Sequence, residues 1–468
     1  MKPITLPQPP KDQNFYAIDP LDGRYYDAEI ARYLSEASRI AYQAYMEAAL
    51  AQTLAEFGIC SAEIAEQIEA SARKVQPEAV YKEELTTKHD VKALVNVIKA
   101  GVGDKAKPFV HFGATSYDIV ASASALQLRD AAQNVVIPSL KALIGTLANL
   151  AEKHAETAQI GRTHGQHAVP ITFGFALAEY VERIGSTTDA LEALCAELVG
   201  KFSGAVGAYN GLNIFVGNPQ EFEKSVLTKV GIKPADYSSQ IVPPEPTIRL
   251  LDELAIAAGV MANLANDMRH LQRSEISEIR EKFDTTQTGS STMAHKKNPI
   301  SFENVVSLNK QVLAQAVNAN QNLISDHQRD LTDSASARFY SVSLACVAHM
   351  AKKLDSAMSA IEVDTDAMQR NLKLSGGAIA AEPLYLLLEK HGHTTAHEKA
   401  KALAHKALEN NTSLAEVVSS DSEVSKYWQK FSEKEKKIIQ EPEKYYTGLS
   451  AINTKHIVRK WKSKIVGD

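Results

Sequence analysis

Between Ala121 and Glu362, apolar residues recur every three or four positions for several turns at a time. Leu140, Leu143, Leu147 and Leu150 form one series. Leu177, Val181, Ile184, Leu191 and Leu198 form a second, with Thr188 and Cys195 filling its gaps. Leu250, Leu254, Ala257, Met261, Leu264, Met268 and Leu271 form a third, and Val347, Met350, Leu354 and Ile361 indicate a last. A period near 3.5 sustained this long is that of bundle helices. Such helices cannot bury their apolar seams within a small monomeric domain, so they imply a long bundle and association of several chains. The methionines in these series are core filler rather than cofactor ligands. Pro138 is expected to kink or break the first helix.

The rest of the chain bounds this picture. Its 468 residues allow two or three domains. Alanine is plentiful and aromatics are 7%, which favours close-packed helices over sheets. The expected fold is all-α in three parts: an N-terminal helical domain (1–112), a central long-helix bundle (113–364) and a C-terminal helical domain (365–468). A net charge of −5 argues against a nucleic-acid partner, and the basic stretch His456–Lys464 reads as a solvated helix face. Cys60, Cys195 and Cys346 are far apart in apolar surroundings, as in a reduced cytoplasmic protein. The N-terminus has no apolar signal region, and no uninterrupted apolar run approaches membrane-spanning length, so no membrane partner is expected.

Polar nodes punctuate the helical pattern. Asp22-Gly23-Arg24-Tyr25 is turn chemistry ending in a cation and a phenol. In Thr86-Thr87-Lys88-His89-Asp90, the threonine pair reads as a helix N-cap. In His111-Phe112-Gly113-Ala114-Thr115-Ser116-Tyr117-Asp118, Thr115 or Ser116 is expected to cap a long helix whose free N–H groups also suit an anion. Arg162-Thr163-His164-Gly165-Gln166-His167 is turn-like, and its two histidines lack the cysteine or acidic neighbours of a metal site. His393 and His397 lie four apart without the glutamate of a zinc-protease motif, and read as a solvated helix. The stretch Thr285–Lys297 has no apolar periodicity and joins two helical segments, which marks either a linker or a closing catalytic loop.

Gly289-Ser290-Ser291-Thr292-Met293-Ala294-His295-Lys296-Lys297-Asn298-Pro299 resembles the signature loop GSSxMPxKxNP of the fumarase/aspartase superfamily, with Ala294 in place of its proline. The nucleotide-side stretches DGRY, TTKHDVKA and QRDLTDS, and HFGATSYDI, whose Thr-Ser pair the resemblance places on a substrate carboxylate, resemble the adenylosuccinate lyase family within it. Together these stretches span most of the chain.

The resemblance implies β-elimination of fumarate from adenylosuccinate, giving AMP, and from SAICAR, giving AICAR, with no cofactor. It implies a homotetramer whose active sites are assembled from three subunits. Ser290 is then the base, with Ser291 as the fallback, and His164 the general acid. Lys296 and Asn298 hold the succinyl carboxylates, and Glu303 orients His164. Arg24, Tyr25, His89, Asp90, Thr115, Ser116, Gln240, Arg329, Ser334 and Arg338 line the rest of the substrate. His167 and Tyr117 stand where relatives carry a proline and an acidic residue. Ala294 leaves the loop more conformations to lose on closing, so Ala294→Pro is expected to leave activity similar or modestly better. The rival readings are an argininosuccinate lyase-like enzyme, a non-catalytic structural relative and a metal-dependent hydrolase.

Overall fold

A computed structural model describes residues 18–282, 293 and 296–466. Helices dominate: α1 (Ala28–Leu34), α2 (Glu36–Glu56), α3 (Ala62–Ala72), α4 (Pro77–Thr87), α5 (Asp90–Ala100), α6 (Ser116–Ala131) and α7 (Ile137–Lys153). A hairpin of β1 (Ala158–Thr163) and β2 (Gln166–Thr172) follows, then α8 (Phe173–Glu197), β3 (Val199–Gly200), α9 (Pro219–Lys229), β4 (Lys233–Pro234) and α10 (Glu245–Leu271). After β5 (Ile279–Arg280) come α11 (Ile300–Gln321), α12 (Tyr340–Ser359), β6 (Glu362–Val363), α13 (Thr365–Lys373), α14 (Ala381–Lys390) and α15 (Ala396–Asn410). The chain closes with α16 (Leu414–Ser420), α17 (Ser425–Trp428), α18 (Glu433–Gln440), α19 (Pro442–Tyr445) and α20 (Ser450–Val466).

The apolar series become buried stripes. Leu140, Leu143 and Leu147 of α7 are fully buried, as are Leu177, Val181, Ile184 and Leu191 of α8. So are Leu250, Leu254, Met261 and Leu264 of α10, and Val347, Met350 and Leu354 of α12. Pro138 does not break its helix. A π turn at Ala132–Val136 lies just before it and contains Asn134, the residue whose carbonyl the proline ring would otherwise strike. The Ser139 hydroxyl donates to Val135 O (2.7 Å) in the same turn. The continuous helix Ser116–Lys153 includes a window that matches a membrane span by average composition; it is no uninterrupted apolar run, and over half of that window is buried.

The chain divides into two compact units. Unit 1 comprises Met1–Leu140, Thr187–Gly259 and Ser307–Ala351. Its core gathers Ile40, Ala44, Ala48 and Ala51 of α2 with Ile68 of α3 and Leu94 and Ile98 of α5. The small alanines on one face of α2 let its neighbours approach closely. Unit 2 comprises Lys141–Ser186, Val260–Val306 and Lys352–Asp468. Its C-terminal part packs Leu384, Leu388, Leu403, Val418 and Phe431 into a core of their own.

Two C-terminal expectations are corrected. The basic stretch His456–Lys464 is not simply a solvated face. Trp461 of α20 is buried, and a Cβ on Gly185 would fall 2.4 Å from its indole, so α8 carries a glycine where the ring presses in. Trp461 Nε1 donates to Glu182 (2.7 Å), while Lys460, Lys455 and Lys462 pair with Glu182, Glu156 and Glu152. Likewise His393 precedes α15 rather than lying on it. It is buried, with Nδ1 accepting from the Thr395 N–H (3.2 Å).

Candidate active site

Unit 1 brings most of the expected nucleotide-side residues together. α4 ends at Thr87, Lys88 turns left-handed (φ 53°), and His89 rather than the threonine pair caps α5. Its Nδ1 accepts from the Lys92 N–H (3.2 Å), while the Thr87 hydroxyl donates to His89 O (3.0 Å) and holds the turn. Capping with Nδ1 leaves Nε2 to face Ser116 Oγ at 3.5 Å. Asp90 Oδ2 is shared by two guanidinium groups, Arg338 Nη2 at 3.3 Å and Arg39 Nη1 at 3.6 Å, and Arg338 is otherwise exposed.

Asp118 links two of these motifs. Thr115 caps α6 in a capping box, its N–H donating to Asp118 Oδ2 (2.8 Å). Oδ1 accepts from the Ser203 and Gly204 N–H groups (3.0 and 3.2 Å) and pairs with Lys201. Both side chains of this ion pair are fully buried. A buried ion pair is tolerated only where further hydrogen bonds satisfy it, as the two amides do here. The turn that follows is equally fixed. Glu223 accepts from the Phe202 N–H and the Tyr209 hydroxyl, each at 2.6 Å, and its burial pushes its carboxyl pKa up. Gly207 (φ 82°) lies so close to Ser238 that a Cβ would fall 2.0 Å from its carbonyl oxygen. Ser203 and Ser238 share a hydrogen bond (2.6 Å), and the Gln240 N–H donates to Gln328 O (3.2 Å), beside Arg329.

Arg329 is nearly buried and bonds Asp333 at 3.0 Å. The Ser334 N–H donates to Leu331 O (3.2 Å), and Asp330 accepts from the Thr332 N–H and hydroxyl (2.9 and 2.6 Å), which fixes this turn. Arg24 is exposed, and Tyr25 packs edge-on against His349 at 5.3 Å between ring centroids. His111 opens the HFGATSYDI stretch. Its Nδ1 lies 2.6 Å from the fully buried Glu47 carboxylate. Burial lowers the imidazole pKa, but the Glu47 charge and hydrogen bond, with Asp118, outweigh it and the net direction is up.

Unit 2 carries the expected acid and the loop. β1 and β2 pair antiparallel with Thr163 opposite Gln166, leaving His164 and Gly165 as a two-residue tip. Both have positive φ (55° and 72°), as a type I′ turn requires. The exposed His164 thus projects from a hairpin where the sequence indicated only a turn. The hairpin is moored below by the fully buried Glu278, which accepts from Arg162 (2.5 Å), Gln159 (2.7 Å) and Asn371 of α13 (2.8 Å). His167 Nδ1 lies 3.2 Å from Ser375 Oγ. Its pKa is pushed down by burial and by Arg162, against Glu278. Among the described residues no group of three or more His, Cys, Asp or Glu side chains is arranged to hold a metal.

Ser290, Ser291 and Ala294 lie outside the described residues. Lys296 is exposed and Asn298 half-buried. The stretches flanking the loop are stitched together: Gln272 receives the Glu281 N–H (2.9 Å) and donates to Lys297 O (3.2 Å). Glu281 in turn accepts from the Ser301 N–H and hydroxyl at the start of α11. Glu303 sits exposed in the first turn of α11. Within the chain, and among the described residues, Glu303 and His164 share no hydrogen bond or ion pair.

Comparison with known proteins identifies the family. The Lyase family profile covers residues 23–314, and the Adenylosuccinate lyase C-terminal profile covers residues 325–445. The adenylosuccinate lyase of Archaeoglobus fulgidus is 36% identical over 96% of this chain and 99% of its own length. That of Pyrococcus abyssi is 37% identical over 88% of this chain and 92% of its own. The chain belongs to the adenylosuccinate lyase family. Among solved structures, a 3-carboxy-cis,cis-muconate lactonizing enzyme from Pseudomonas putida superposes with a TM-score of 0.83 at 25% identity, covering 96% of this chain and 100% of its own. A fumarate lyase from Mesorhizobium sp. BNC1 gives 0.82 at 24% identity, over 93% of this chain and 98% of its own, a likeness of fold alone. For an adenylosuccinate lyase, the residues that join its motifs to one another are Asp118, Lys201, Glu223 and Glu278. Their signal in the sequence is faint: an acid three residues after a cap, and a lone lysine inside an apolar run.

Proposed function

We infer that the chain works as its family does, splitting adenylosuccinate into fumarate and AMP, and SAICAR into fumarate and AICAR. The observation that carries this reading is the convergence, within unit 1, of His89, Ser116, the Thr115 cap and Arg338 with the Asp118-anchored turn. That set offers a cation, a helix N-terminus and uncharged donors to a nucleotide with carboxylates.

The chemistry follows from what the residues supply. A Ser290 alkoxide takes the Cβ proton of the succinyl group. The electron pair is held by the adjacent carboxylate as an aci-carboxylate, which Lys296 and Asn298 stabilise. As the Cα–N bond breaks, the pair forms the fumarate double bond and the His164 imidazolium protonates the departing nitrogen. No redox change or cofactor enters this balance. Serine is a poor base, so closure of the loop and exclusion of water are part of the mechanism.

Glu303 orients His164 in this reading, and the partner carboxylate comes from another copy of the chain. The proposal of a homotetramer is supported by apolar side chains left exposed on the long helices of unit 1, including Ile256, Leu313 and Val317. A cytoplasmic location is supported by three unpaired cysteines, two of them buried.

The reading is tested by product analysis with three substrates. Adenylosuccinate and SAICAR are expected to give fumarate with AMP and AICAR, and argininosuccinate to be inert. Turnover of argininosuccinate alone moves the chain to a sister activity, and no turnover of any of the three supports a non-catalytic relative.

A further inference from the structure

Tyr117, the second residue of α6, follows directly on the Thr115-Ser116 cap. Its ring lies against Arg329: the guanidinium carbon is 3.5 Å from the ring centroid, well inside cation–π range. The Arg329 side chain is only 2% exposed. One terminal nitrogen donates to Asp333 (3.0 Å), but Nε is buried and has no hydrogen-bond partner among the described residues. A buried guanidinium donor without an acceptor is a costly arrangement unless an acceptor arrives.

The two contacts use different parts of the group. A guanidinium stacks through its face and donates hydrogen bonds through its edge. An acidic side chain at 117 competes for the edge, because it pairs with the N–H groups themselves. A ring holds the face and leaves the edge to Asp333 and to one further acceptor. We propose that Tyr117 is a positioning residue, which fixes the Arg329 guanidinium by stacking so that its unpaired edge receives a phosphate oxygen of the nucleotide. This rests on the reading of Arg329 as a phosphate-side residue.

The test is steady-state kinetics on adenylosuccinate and on succinyladenosine, the same molecule without its phosphate. The enzymes are the wild type, Tyr117→Phe, the ring-less Tyr117→Leu and Tyr117→Gln, Arg329→Met and the Tyr117→Leu/Arg329→Met pair. Two ring-less variants keep the experiment readable if one fails to fold. Loss of the ring is expected to raise KM for adenylosuccinate roughly 5- to 30-fold with kcat little changed, the scale of one desolvated cation–π contact. Tyr117→Phe retains wild-type KM. With succinyladenosine the ring-less variants match the wild type, and in the Arg329→Met background Tyr117→Leu adds nothing. An equal KM rise on both substrates, or full additivity with Arg329→Met, overturns the proposal in favour of simple packing. A raised KM for Arg329→Met beside an unchanged KM for both ring-less variants overturns it while the phosphate reading of Arg329 stands. An unchanged KM for Arg329→Met removes both.

Discussion

At the scale of single residues, the site depends on groups whose charge is set by a neighbour. His111 is one. The Glu47 carboxylate holds its pKa above the ordinary value despite burial. A histidine raised on folding contributes stability that is fully present below its unfolded pKa of about 6.5 and is lost as pH rises through the folded value. Melting temperature is therefore expected to fall across the neutral range in the wild type, and Glu47→Gln to flatten that slope. His164 belongs to the same scale. In the proposed role of proton donor to the leaving nitrogen, its replacement by asparagine is expected to cost roughly 10²- to 10⁴-fold in kcat, with the melting temperature unchanged because the side chain is exposed. A smaller loss, or one confined to KM, gives the donor role to another group.

At the scale of elements, legibility in the sequence followed periodicity. The long helices were readable because Leu, Val and Met recur at the helical period and the same residues are buried. A cap at Thr115 or Ser116 was readable because capping is local chemistry, and Thr115 fills it, whereas His89 takes the place expected for the threonine pair. The hairpin that carries His164 was not, since Gln159–Thr163 and Gln166–Pro170 mix polar and apolar residues, and what orders them is Glu278, over a hundred residues away. The docking of α20 was hidden for the same reason. Lysine-rich helices read as solvated until the partner of the tryptophan is known. Trp461→Ala is expected to cost about 3–5 kcal/mol of stability, as for other buried tryptophans. Lys455→Ala, which removes only an exposed ion pair, is expected to cost about 0–1 kcal/mol. Chemical denaturation of the two variants beside the wild type checks the contrast, and similar losses mean that α20 is held by charge rather than by its ring.

At the scale of the whole molecule, His164 and Glu303 are both exposed and, among the described residues of one chain, unjoined, while Ile256, Leu313 and Val317 leave apolar surface uncovered. Both facts have one explanation if several copies pack their long helices together and exchange functional residues. Light scattering is expected to give the mass of four chains, and Leu313→Asp with Val317→Asp to lower both that mass and the activity. The most direct measurement follows from the same picture: adenylosuccinate turnover by His164→Asn, by Ser290→Ala, and by the two variants dissociated and reassembled together. Each variant alone is expected to be nearly inactive. The mixture is expected to regain a fraction of wild-type turnover, because some sites then draw an intact His164 and an intact Ser290 from different chains. A mixture as inactive as its components would contradict a shared site, and a Ser290→Ala enzyme of wild-type activity would contradict the assignment of the base.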